Sequence, residues 1–93
     1  MSAASAASAA AIHAGRRDAG WTITELWVAA VGIGGGFSWA DIERIDDDTQ
    51  DATPLEHDIL ASALNDHFTE LGQDHPVTYW NDLRPDRSAP SLE

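Results

Sequence analysis

Three times in this chain a Ser or Thr is followed three residues later by an acid: Thr22 with Glu25, Ser38 with Asp41, and Thr53 with Glu56. At that spacing the hydroxyl can accept from the backbone of the acid while the carboxylate returns to the backbone of the hydroxyl residue, so the pattern marks a helix start. At the third site Pro54 follows the cap directly, at the one helical position that suits proline. Apolar residues then follow at helical intervals. Ile23, Leu26, Trp27, Ala30 and Val31 form one stripe; Trp39, Ile42 and Ile45 form a short edge; Leu60, Leu64, Phe68 and Leu71 form the longest stripe, widened by Leu55, Ile59 and Ala63. The stops are as clear. Gly32, Gly34, Gly35 and Gly36 end the first helix and Gly72 ends the third. The run Asp46-Asp47-Asp48 places negative charge where it opposes the helix dipole and is expected to end the second. The expectation is an all-α, three-helix domain.

The remaining sequence sets the limits of that domain. Residues 1–11, MSAASAASAAA, are nearly all Ala and Ser, and residues 84–93 carry two Pro, charge and small polar side chains. Both are expected to be flexible tails flanking one domain over 12–83, because they offer little apolar surface to offset ordering entropy. Roughly 65 residues remain to pack, near the lower limit for one core, and with no cysteine there is no disulfide to assist. The segment HPVTYWNDL after Gly72 carries Val77, Tyr79, Trp80 and Leu83 and reads as an aromatic C-terminal strap, extended or in a short helical turn. Arg16 and Arg17 follow the Ala run rather than precede it, which is the wrong order for a secretory signal, and no apolar stretch is long enough to cross a bilayer. A cytoplasmic location is the expectation.

Sixteen acids against five bases, all Arg, give a net charge of −11. Such a chain is repelled by phosphate backbones and anionic membranes, so neither nucleic acid nor membrane is expected as a partner. A helix-turn-helix reading would make the second helix the reader, but it presents Trp39, Asp41, Glu43 and one cation, Arg44, to the bases. The glycine cluster lacks the Lys-Ser/Thr of a phosphate loop and follows no strand. Counted as a calcium loop from Asp46, the chain has Asp51 where Gly is needed and His57 where the bidentate Glu is needed. His57 and His67 are ten residues apart, about 15 Å along a helix, too far to share a metal; each is expected to be a partly buried ring with a backbone or carboxylate partner. No nucleophile motif is present. No catalysis, metal or cofactor is expected.

Two resemblances bear on function. Gly35-Gly36-Phe37-Ser38-Trp39 resembles the Gly-Gly-x-Ser-Leu segment of peptidyl carrier proteins, which would make Ser38 a prosthetic-group site. Phe37 stands where that family has His or Asp, and Trp39 where it has Leu. More broadly, Thr24-Glu25-Leu26-Trp27, Gly34-Gly35, Glu56-His57-Asp58-Ile59-Leu60-Ala61, Ala63-Leu64-Asn65, Glu70-Leu71-Gly72 and His75-Pro76-Val77 are together similar to short actinobacterial proteins of unknown function. That resemblance implies a helical architecture and no activity.

The chain also holds four Trp. Trp27 and Trp39 fall on the apolar stripes and are expected inside, while Trp21, Tyr79, Trp80 and Leu83 lie at element edges, where aromatic side chains anchor interfaces. The expected function is a small, acidic, non-catalytic protein–protein interaction module, regulatory or accessory. It would bind a protein partner, or a second copy in a homodimer, through those four residues.

Overall fold

The computed structural model describes residues 3–74 and 76–83. Among them the chain is all-helical, with α1 Ala3–Ala19, α2 Ile23–Gly32, α3 Trp39–Asp46, α4 Pro54–Glu70 and a final 3-10 turn at Trp80–Asp82. The three capping sites behave as their spacing predicts. Thr22, Ser38 and Thr53 each accept from the backbone three residues on, and Glu25, Asp41 and Glu56 each return the bond.

The four helices stop in one way. After each, the residue in the left-handed region donates to a carbonyl three residues back, and the next residue donates five back. Gly20, Gly34 and Gly72 hold that position after α1, α2 and α4. After α3 it falls to Asp48, with φ 63°, the one non-glycine residue at positive φ among those described. One Asp48 carboxylate oxygen, Oδ1, is buried without a hydrogen-bond partner.

The helix count corrects the sequence expectation. From Ala3 onward, the segment expected to be a tail is the first half of α1, so the described residues form four helices where three were expected. Residues 84–93, expected to be the second tail, lie outside the described residues. Alanine is the best helix former, and small side chains let α1 lie close on α4 and α3. Ser8, Ala9 and Ile12 are buried, and at Gly15 an added Cβ would stand 2.8 Å from a Val77 methyl. An Ala/Ser helix shows no hydrophobic periodicity, so its sequence alone reads as a tail.

The core joins Ile12 of α1, Leu26 and Ala30 of α2, Ile42 and Ile45 of α3, and Leu60, Ala61, Ala63, Leu64 and Phe68 of α4, with Phe37, Ala52 and Val77 from the connections. α1 and α2 both pack on α4, which together with Val77 covers the middle of its apolar arc and leaves Leu55 and Leu71 at its ends exposed. Four assignments to the inward stripes need correction: Val31, Trp39, Leu55 and Leu71 are all exposed.

Candidate functional site

Polar side chains from α4 hold the C-terminal segment in place. Asn65, fully enclosed, pairs with both backbone groups of Val77: its Nδ2 donates to the carbonyl and its Oδ1 accepts from the N–H, each at 2.9 Å. The Trp80 N–H donates to Asp58 Oδ1 at 2.8 Å. His57, also enclosed, meets the Thr78 carbonyl through Nε2 and the Ser8 hydroxyl through Nδ1, both at 2.7 Å. A carbonyl can only accept, so Nε2 carries a proton, and in the neutral ring Nδ1 accepts from Ser8. One histidine thus ties α1, α4 and the C-terminal segment together. The Ser8–His57 pair has the atoms of a nucleophile and base, but both are closed to solvent.

A second polar cluster joins α1 to the end of α3. Asp46 is buried, and its carboxylate accepts from Arg16 Nε at 2.9 Å, Arg16 Nη2 at 3.1 Å and His13 Nδ1 at 3.0 Å. Burial alone would raise the Asp46 carboxyl; the hydrogen bonds from Arg16 and His13 outweigh it and hold the group below the usual carboxylate range. The same hydrogen bond raises Arg16 against the opposing effect of burial. Arg16 also donates through Nη1 to the Trp21 carbonyl at 2.8 Å. A shallow cavity of about 380 Å³ lies beside this cluster, lined by Ala6, Ala9, Ala10, His13 and the three aspartates. Among the described residues, no group of three or more His, Asp or Glu is placed to hold a metal ion. His75 lies outside the described residues.

Of the four residues expected to form an interface, all partly buried, Tyr79, Trp80 and Leu83 share the final 3-10 turn and its flanks, while Trp21 lies apart. Trp21 meets the His67 ring at a 45° tilt, centroids 4.8 Å apart, near the end of α4. Trp80 meets His57 edge-on at 5.9 Å, ten residues and about 15 Å back along the same helix. Tyr79 is partly buried against the core and Leu83 is half-buried. Ser38 is exposed, with its hydroxyl bound to the Asp41 backbone as the α3 cap; the Ser38 N–H, followed by its hydroxyl, holds the Asp41 carboxyl below the usual range.

Besides Ile33, Leu55 and Leu71, exposed apolar side chains gather on α2 and beside it. α2, ITELWVAAVG, has one charge and one hydroxyl in ten residues, the composition of a helix buried all round. The fold covers one side of it, burying Leu26 and Ala30 and partly burying Ile23, Trp27 and Ala29. On the other side Val28 is 60 % exposed and Val31 46 %. Trp39, 40 % exposed, lies beside them, because its Nε1 donates to Thr24 Oγ1 at 3.0 Å and Thr24 is one turn before Val28. The Trp27 Nε1 donates to the Phe37 carbonyl at 3.1 Å. Trp27, Val28 and Val31 line a small apolar notch of about 120 Å³. Sequence reasoning missed this face by assigning Val31 and Trp39 to the core. The available signal was that residues 26–31 are apolar around the whole helix, more than one stripe needs.

Among the described residues no helix is long and apolar enough to cross a membrane. No protein-family model, curated protein or solved structure matches the chain.

Proposed function

We propose that this chain is a small acidic protein–protein interaction module, regulatory or accessory and non-catalytic, and that it binds through the outer face of α2. The supporting observation is that face: Val28, Val31 and Trp39 stand exposed together on a helix with the composition of a core element. Contiguous exposed apolar surface on a small domain favours association, and aromatic side chains are the usual anchors. Both indoles are held by their N–H groups, so little freedom is lost on binding. Trp21, Tyr79 and Trp80, packed toward α4 or the core, serve the fold in this reading.

A photo-crosslinking residue at position 28, with another at exposed Thr69 as control, tests the proposal in native cells. The expected result is a discrete protein adduct from position 28 that position 69 does not give. Equal labelling from both positions, or none from either, would contradict it.

A further inference from the structure

The charges around the α2 face indicate what kind of partner it accepts. From Asp18 to Glu43 the chain has no Arg, Lys or His, while Asp18, Glu25, Asp41 and Glu43 contribute four carboxylates. Glu25 lies one turn before Val28 on α2, and Glu43 one turn after Trp39 on α3. The cations next in sequence are Arg17, exposed beside Asp18 on α1, and Arg44, bound to Asp41 and to the Gln50 side chain. The apolar face is therefore flanked by negative charge, on a chain whose net charge is −11.

We infer that the α2 face docks a cationic amphipathic segment of a partner protein, which places an apolar side chain in the notch of Trp27, Val28 and Val31 and sets Lys or Arg against Glu25 and Glu43. This rests on the interaction reading above and narrows it. An apolar helix face laid on an apolar groove is a recurrent mode of peptide recognition. Here the flanking charge selects the sign of the visitor and speeds its approach. A second copy is the less suitable occupant, since it would bring a matching set of carboxylates to the same contact.

Two synthetic amphipathic peptides test this on the full chain, one with leucines on one face and lysines on the other, and one with glutamates in place of the lysines. The Val28→Ser/Val31→Ser variant serves as control; Val28→Ser alone, at the more exposed position, is the fallback should the double variant fail to fold. The leucine–lysine peptide should bind, shift the indole N–H signals of Trp27 and Trp39, and weaken as salt screens the charges. Its affinity should fall at least tenfold in the variant. Equal binding of the glutamate peptide at the same face would overturn the cationic assignment and leave the interaction reading standing. Self-association through the face that excludes both peptides would do the same. Lysine-peptide binding that the variant leaves unchanged would be adsorption to acidic surface elsewhere and would overturn the inference. If no peptide and no second copy engages the face, both the inference and the interaction reading fall.

Discussion

Asp48 occupies the position that glycine holds after the other three helices, and replacing it with glycine should stabilise the domain. Its φ of 63° lies in the left-handed region, where an L side chain costs about 1–2 kcal/mol, Asp falling at the lower end. Glycine removes that strain but returns up to about 1 kcal/mol through its freer unfolded chain. Two other effects then favour the variant. A carboxylate at the C-terminus of α3 opposes the dipole by about 0.3–1 kcal/mol. The unpartnered Oδ1 adds part of the roughly 1–3 kcal/mol that a buried, unsatisfied polar group costs. The net expectation for Asp48→Gly is a gain of about 1–2 kcal/mol, or roughly 4–15 °C in Tm for a domain of this size. Asp48→Asn tolerates the same backbone and removes only the charge, so it should gain less. Asp48→Ala keeps the backbone strain and should gain least. Thermal melts of the three variants at neutral pH make the comparison. A lower midpoint for Asp48→Gly, or equal midpoints for Gly and Ala, would refute the reasoning.

Two further outcomes follow from the polar clusters. The Asp46 carboxyl is held below its unfolded value of about 3.9, so its contribution is fully present above about pH 4 and lost as pH falls through the lower folded value. Asp46→Asn should cost about 3 kcal/mol at pH 7, since Arg16 is left without its counter-charge, and should flatten the acid limb of stability measured by urea midpoints; an unchanged acid limb would count against the cluster. Asn65→Leu strands both backbone groups of Val77 and should cost about 2–4 kcal/mol, with faster amide exchange at Val77 and Trp80; slow exchange retained at both would show that the segment is held by other means.

How much of this could be read in the sequence depends on how local each signal is. The starts of α2, α3 and α4 are set within four residues by hydroxyl and acid, and all three were legible. α1 was not, because an Ala/Ser helix has no apolar period. What it does carry is a stop signal, Arg16 and Arg17 followed by Gly20, and the buried spacing Ser8, Ile12 and Gly15. Burial on α2 is ambiguous for the opposite reason: a helix apolar on every side does not declare which side the fold will cover, so the sequence alone does not show that Val31 faces out. His57 could be located on the inner stripe of α4; Asn65 could not. Their partners Ser8, Val77 and Thr78 are brought to them by the tertiary fold and could not be read from spacing.

The central claim is that the outer face of α2 is where a partner protein docks, and its most direct test is the affinity of the protein captured at position 28 for wild type and for Val28→Ser/Val31→Ser. Val28 is 60 % and Val31 46 % exposed in the free chain, so serine at both should leave Tm nearly unchanged. Covering them on binding is worth about 2 kcal/mol at ordinary apolar transfer values, roughly a 30-fold change in Kd. The prediction is a Kd weakened by about that factor with an unaltered melt. An unchanged Kd in a folded variant would contradict the claim.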